Sequence, residues 1–376
     1  MTLLSCVGAT VPEQGPSDPA RALHAGRRAM ADGRILVVGG YGEVGRRLTE
    51  QLERTQPNRV IVAGRHASGS RSRKIDVDDA AAVDTALDGI SVVAACVRQR
   101  QPHLLRAAVR RGIAYTSIAP PRVSSAETEL LAAEARRTGA RIVLAAGLEP
   151  GISSVLARAA ADRLGHVDAI ETALLLSLGD VYGGDSLAFL FAEICEPYSI
   201  VVAGKSQVLH AFARSKRVDF PAPLGVRQAY AMPFTDQRYF PATLGASTAV
   251  ARLALDPPWL GGVLAILLPL GLRRLLRRGG SRGAIHRLIE KLRSYYSDQD
   301  RYALVVDVRS GGRRVHATLV GRGQATATAI GAAAVVEALW SNEVVMPGVW
   351  LPEQVIAVQP FLDRLAAQGL SPTVDS

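Results

Sequence analysis

Apolar and polar positions fall into short blocks whose period changes along the chain. Ile35 to Val38 is an apolar run ending in glycines, which predicts a buried strand. Val44, Leu48 and Leu52 recur at a spacing of four, which predicts an amphipathic helix, broken at Pro57-Asn58. Val60 to Ala63 reads as a second strand, and a third surrounds Ile75. Asp79 to Leu87 reads as helix, Ser91 to Val97 as strand, His103 to Arg111 as helix and Ile113 to Ile118 as strand. Glu127 to Arg137 and Arg141 to Ala146 complete the series as helix and strand. Such alternation predicts an α/β, doubly wound parallel sheet.

The rhythm changes after Gly151. Ala169 to Leu178 reads as a longer strand, and apolar runs recur at Ile200 to Val202 and Val208 to Phe212. Tyr302 to Val308 and Arg314 to Leu319 flank Gly311-Gly312, the signature of a β-hairpin. These features predict an inserted α+β domain. Two closing helices are expected, from about Thr326 to Trp340 and after Leu351, with Pro352 in the first turn.

One segment stands apart. Trp259 to Leu272 is nearly all apolar, and Arg273-Arg274-Leu275-Leu276-Arg277-Arg278 follows it. The run is shorter than the ~20 apolar residues that span a bilayer. Three readings stay open: a buried helix pair, a lid or wall over a hydrophobic substrate channel, and an interfacial helix with its arginines on anionic head groups. Ala284 to Leu292 reads as a basic amphipathic helix.

The chain has 376 residues and a formal charge of +10. Nearly all the basic residues are arginine, since lysine occurs only at Lys74, Lys205, Lys216 and Lys291. With many Ala and Gly residues, this reads as genomic base composition. Aromatics are 5% of the chain and do not interleave with basic residues, so nucleic-acid binding is not expected. Cys6, Cys96 and Cys195 are scattered, which argues against a disulfide framework or a metal site and fits a reducing, cytoplasmic compartment. The first residues lack apolar periodicity and read as a loose extension, with Met30 an alternative start. A homodimer is compatible with the chain.

Gly39-Gly40-Tyr41-Gly42-Glu43-Val44-Gly45 carries the clearest chemistry. Gly40, Gly42 and Gly45 satisfy G-x-G-x-x-G between a strand and a helix. In that context the first glycine permits the tight turn and Gly42 lets the backbone approach a pyrophosphate. Gly45 lets the helix lie close to the strand, and the helix N-terminus attracts the anion. The next strand ends Ala63-Gly64-Arg65-His66 without the carboxylate that would bind an NAD ribose. Ser68, Arg71, Arg73 and Lys74 follow, and Arg65 could pair with a 2′-phosphate. The expected cofactor is therefore NADP, with NAD as the alternative. Asp76-Val77 could contact the adenine, or Asp76 could cap a helix. Cys96, Val97 and Ala119 fall at later strand ends, where Cys96 reads as packing rather than as a nucleophile. Gly147-Leu148-Glu149-Pro150-Gly151 joins the sixth strand to the next helix. Glu149 is its only acid and a candidate proton carrier facing a shared cleft, whereas Ser153 and Ser154 could simply cap the helix.

The sequence resembles the saccharopine dehydrogenase-like reductases from Ile35 to the final helix. The resemblance rests on the first glycine motif, on Gly147 to Gly151, on Tyr182-Gly183-Gly184, and on Gly348-Val349-Trp350-Leu351-Pro352-Glu353. It implies a Rossmann-type domain, an inserted substrate domain built on a mixed sheet, and hydride transfer with NAD(P). It also implies C-terminal helices that return to the Rossmann unit. The expected division is 1–31 extension, 32–150 NAD(P)-binding domain, 151–325 substrate domain with an apolar/basic insertion at 255–300, and 326–376 C-terminal helices. In the best-known members the reduced carbon belongs to an imine; other relatives are linked to C=C reduction in lipids. Asp185 to Phe189 replaces the usual Leu-Pro after the glycine pair, and Glu149 stands where Asp is commoner. No convergent set of arginines for saccharopine itself is visible.

The expected function is NAD(P)H-dependent reduction of a C=N bond in a small molecule, a hydrophobic one included, with the proton coming from Glu149, Tyr182 or water. Reduction of a C=C bond in a lipid at a membrane surface, with peripheral contact through 259–278, is one alternative. A non-catalytic dinucleotide-binding sensor is the other.

Overall fold

The structure is a computed structural model that describes residues 33–119, 123–180, 190, 192–277, 282–296 and 300–375. Tyr182 and its glycine pair, and the N-terminal extension, lie outside the described residues. The chain divides into two compact units. One comprises the chain to Gly147 plus Thr328–Phe361, the other Leu148–Ala327 plus Leu362–Ser376.

The first unit is built on β1 (Arg34–Val38), β2 (Val60–Gly64), β3 (Ser72–Lys74), β4 (Ile90–Ala95), β5 (Ala114–Ser117) and β6 (Arg141–Leu144). These pair in the order β6-β5-β4-β1-β2-β3, all parallel. The continuous apolar runs follow from that arrangement, because a parallel strand is covered on both faces. Ile35 to Val38 and Val92 to Ala95 are all buried. Helix α1 (Glu43–Thr55) buries Gly45, Leu48 and Leu52 along one stripe. Helices α2 (Ala80–Ala86) and α3 (His103–Arg110) follow, then α4 (Ser125–Thr138), which the Ser124 hydroxyl caps and Gly139 closes at φ 80°. The expected α/β, doubly wound architecture is present.

Two details differ from the expectation. The third strand ends at Lys74, one residue before Ile75, which is buried just beyond it. Gly348–Trp350 adds a seventh parallel strand beside β6. At three residues, it is too short to leave a periodic signal.

The second unit holds a mixed sheet. Its strands are β7 (Ala169–Ser177), β8 (Tyr198–Val202), β9 (Lys205–Leu209), β10 (Ser215–Phe220), β11 (Gly225–Ala231), β12 (Thr248–Asp256), β13 (Arg301–Ser310) and β14 (Arg313–Arg322). The order is β10-β11-β12-β7-β13-β14, with β12 and β7 parallel and the other pairs antiparallel. Gly311 and Gly312 both have positive φ and close the β13–β14 hairpin as a two-residue turn. Helix α5 (Ile152–Leu164) packs on β13 and β14.

Thr328–Phe361 belongs to the first unit, and the chain from Leu362 onwards belongs to the second. The closing segment breaks at Ile356 into Pro352–Val355 and Val358–Ala367, and Thr373–Asp375 pairs with β14 in the second sheet.

The apolar insertion is a helix from Trp259 to Arg277 with a π-type turn at Leu268–Leu272 and a non-helical Gly271. It does not form a buried helix pair. Within it only Gly261, Leu268 and Leu276 are buried, whereas Trp259, Val263, Ile266, Leu267, Leu270 and Leu275 are exposed. Leu268 and Leu276 seal a core of Ile194, Cys195, Ala211, Phe212, Met232 and Leu253. A Cβ at Gly261 would stand 2.7 Å from the Tyr230 ring, so only glycine permits this contact.

Candidate functional site

The β1–α1 turn lies where the strand order reverses, between β1 and β4, the place in an open α/β sheet where ligands bind. Gly39, not Gly40, makes the tight turn, with φ +82°. Gly40 is needed for space instead, because its Cβ would meet Val62 Cγ1 at 2.6 Å. A Cβ at Gly45 would lie 2.2 Å from the Gly39 carbonyl oxygen, which fixes the close approach of α1 to β1. Gly42 differs from both. A Cβ there meets only the Gly39 oxygen, at 3.4 Å, so the space before the helix is open. Gly42 is also the N-cap of α1 and brings no side chain to its first turn. The free N–H groups there can hold a phosphate.

The neighbouring strand ends line this turn. Cys96 N–H donates to Val38 O at 2.8 Å, and Val97 packs against Gly39. Burial pushes the Cys96 thiol up to about 12, which removes it as a nucleophile at neutral pH. Tyr41, half-exposed, lies over Gly64, and its hydroxyl accepts the Ser68 N–H at 3.1 Å. Glu43 is held by Arg47 on α1. Val44 is half-buried in the first turn of α1, and Ala119 is half-buried beyond β5.

The basic residues after β2 separate into two groups. Arg71 pairs with Glu53 at 2.8 Å, and Arg73 donates to the carbonyls of Ala86 and Asp88. Both are used by the fold. Arg65, after Ala63 and Gly64, is exposed and has no ion-pair partner among the described residues. Asp76 is not a helix cap. It accepts the Asp78 N–H in a local turn, and Asp79 caps α2. Val77 is half-buried beside it.

Sequence reasoning missed Gln99, four residues beyond β4, and Tyr115, inside β5. Both are buried, and Gln99 Nε2 donates to Tyr115 Oη at 2.9 Å. Burial lifts the Tyr115 hydroxyl to about 12.

The second unit contains an acid pair. Glu149 Oε1 accepts from Thr172 Oγ1 of β7 at 2.6 Å. Glu149 Oε2 is sealed from solvent and has no hydrogen-bond partner among the described residues. Asp236 is 1% exposed and accepts from Ser153 Oγ at 2.8 Å and from Gln237 N at 2.9 Å. Ser153 therefore serves Asp236 rather than capping α5, whose N-cap is Gly151. Burial raises both carboxyls, and the Asp236 charge raises Glu149 further. Asp236 stands at about 6. Two donors support an Asp236 charge and one supports Glu149, so the first proton goes to Glu149, well above the usual carboxylate range. Asp236 and Thr172 were unmarked in the sequence. No group of His, Cys, Asp and Glu among the described residues could hold a metal.

No sequence-family profile matches the chain, and no curated protein matches it. Solved structures do match. Apo saccharopine dehydrogenase (L-Glu forming) from Saccharomyces cerevisiae superposes with a TM-score of 0.61 at 15% identity, covering 92% of this chain and 100% of that one. The two share a fold. A C. glutamicum DAP dehydrogenase in complex with DAP matches at a TM-score of 0.42 and 15% identity, covering 90% and 99%. An engineered D-amino acid dehydrogenase bound to NADP+ matches at 0.44 and 15%, also covering 90% and 99%.

Proposed function

We propose that the chain is an NADPH-dependent reductase that adds hydride and a proton across a C=N bond of a small molecule. The observation that carries this reading is the β1–α1 turn. It lies at the switch point of a parallel sheet, is closed tightly at Gly39 and Gly45, and is left open at Gly42. The fold shared with saccharopine dehydrogenase supports it. When bound, the nicotinamide supplies the hydride.

The chain's own residues bind and protonate. The N–H groups beyond Gly42 hold the pyrophosphate, and Arg65 takes the 2′-phosphate. Tyr41, Glu43 and Val44 shape the turn; Val77, Val97 and Ala119 give apolar contact. Glu149 holds a proton on a carboxyl whose second oxygen is buried and has no acceptor among the described residues, which makes it the candidate proton donor once a substrate reaches that oxygen. Asp236 keeps that proton in place through its charge.

A second reading, reduction of a C=C bond in a hydrophobic substrate, is favoured by the exposed apolar helix face. A fluorescence titration with NADPH and NADH, followed by NADPH oxidation across a panel of cyclic imines, amino-acid imines and enones, tests both. Turnover of imines supports the first and turnover of enones the second. Tight binding without turnover would indicate a sensor, and no binding of either dinucleotide would overturn the proposal.

A further inference from the structure

The helix from Trp259 to Arg277 has two faces of opposite use. Leu268 and Leu276 are buried in the core of the second unit, with Leu264, Ala265 and Leu272 packed beside them. The other face carries Trp259, Val263, Ile266, Leu267 and Leu270, spaced as one helical stripe and all exposed. Ile266 is 62% exposed and Leu270 77%, which is costly for contiguous large apolar side chains in water.

Length alone would allow a membrane crossing, since 19 residues at about 1.5 Å each approach the ~30 Å hydrocarbon core. The packing points elsewhere. Arg273 donates to Ala211 O at 2.8 Å and Arg277 to Cys195 O at 2.8 Å, which ties the C-terminal half to the protein body. With Leu268 and Leu276 in the core, this helix lies along the unit it belongs to.

Charge selects the occupant. From Pro257 to Ile289 the sequence contains no Asp or Glu, yet it contains Arg273, Arg274, Arg277, Arg278, Arg282 and Arg287. Arg274 and Arg287 are exposed, and Arg274 has no ion-pair partner among the described residues. Arg277 pairs with Glu196 at 3.4 Å, which leaves Arg274 outside any ion pair among the described residues. An apolar stripe followed by an exposed arginine in a segment without acids matches a surface with anionic head groups above acyl chains. A hydrophobic protein partner would not require the arginines.

We infer that the exposed face of Trp259–Arg277 docks the protein in plane on an anionic lipid bilayer, with Trp259, Ile266 and Leu270 inserted and the exposed Arg274 and Arg287 on the head groups. This inference does not depend on the reductase reading.

Co-sedimentation of the full chain with vesicles tests it. Binding is expected to phosphatidylcholine vesicles containing phosphatidylglycerol, and at least tenfold less to phosphatidylcholine alone. Ile266→Asp combined with Leu270→Asp should lose at least tenfold while leaving the melting temperature unchanged, because both side chains point to solvent. Arg274→Glu should weaken binding and its salt dependence together. If the double variant fails to fold, tryptophan emission decides. The wild-type chain should shift to the blue on adding anionic vesicles, and Trp259→Phe should abolish the shift. No binding to phosphatidylglycerol vesicles would overturn the inference, as would binding that the double variant retains. So would a wild-type dimer in light scattering that the double variant loses while neither protein binds vesicles, since a second copy would then cover the face.

Discussion

Thr172 Oγ1 donates a 2.6 Å hydrogen bond to Glu149 Oε1, while Oε2 of the same carboxyl is buried without a partner among the described residues. One oxygen is thus held and the other is not. The side chain is fixed in orientation, and Asp236 opposes its ionisation. Glu149→Gln keeps the shape and the Thr172 bond but removes the proton. Its expected effect is a fall in kcat of about 10²–10⁴, the usual contribution of a positioned acid. NADPH affinity, read by fluorescence titration, should stay within twofold. Equal loss of affinity and turnover would show that Glu149 supports binding instead.

The same pair should mark stability against pH. Asp236 and Glu149 have folded-state pKa values raised above their unfolded values. Between the two values the folded state binds more protons, so their contribution is present below about pH 4 and is lost as pH rises. For Asp236 the loss runs to about pH 6, and for Glu149 it extends higher. Asp236→Asn should flatten this limb and raise stability above pH 6 by on the order of 1–3 kcal/mol. Urea midpoints across pH 4–8 measure it. An unchanged slope would remove Asp236 from this role.

The two glycines of the turn should fail differently. Gly42→Ala meets no close atom, so the fold should survive with a stability change within about 1 kcal/mol, while a methyl enters the phosphate space and NADPH binding falls at least about tenfold. Gly45→Ala drives a methyl into the Gly39 carbonyl, so both stability and binding should fall, the former by roughly 1–3 kcal/mol. Thermal melts with and without NADPH separate the outcomes.

Arg65 and Arg71 provide a matched pair for cofactor choice. Arg65→Ala should raise the NADPH Kd about tenfold and leave NADH unchanged, the effect of one charge-assisted phosphate contact. Arg71→Ala breaks only the surface pair with Glu53 and should leave both dinucleotides as they were. Parallel titrations decide, and a loss for NADH as well would point to a structural effect of Arg65.

Acid should remove a different contribution. Burial alone would raise Asp307, but hydrogen bonds from His316 and Arg314 outweigh it and bring the carboxyl to about 2. A depressed carboxylate stabilises above its unfolded pKa, so this contribution is complete above about pH 4 and fades towards pH 2. Asp307→Asn should make the acid unfolding limb shallower in circular dichroism.

The first unit was legible because parallel strands covered on both faces appear as unbroken apolar runs, and because close backbone approaches demand glycine. The glycine spacing located the turn but assigned the tight φ to Gly40 rather than Gly39, since spacing does not reveal backbone angles. The second sheet was less legible. In β10 the pattern Ser-Lys-Arg-Val-Asp-Phe reads as polar, and in β12 Arg252 interrupts an alanine-rich run because it pairs with Glu171 across the sheet. Asp236 lies 83 residues from Ser153, its hydrogen-bond donor, and no local pattern marks a buried acid. For the apolar helix, composition left burial, a lid and an interfacial position all open, and only the packing of Leu268 and Leu276 shows which face is turned inwards.

Gly261 rests on the ring of Tyr230, and that ring is stacked on Phe212 with centroids 5.3 Å apart. The helix therefore cannot roll about its own axis without dismantling an aromatic pair. Its outward stripe has a fixed bearing on the second unit, as a keel has on a hull. Any surface that receives the stripe would meet that unit in a single orientation, and a bulkier residue at 261 would turn the heading without altering one exposed side chain.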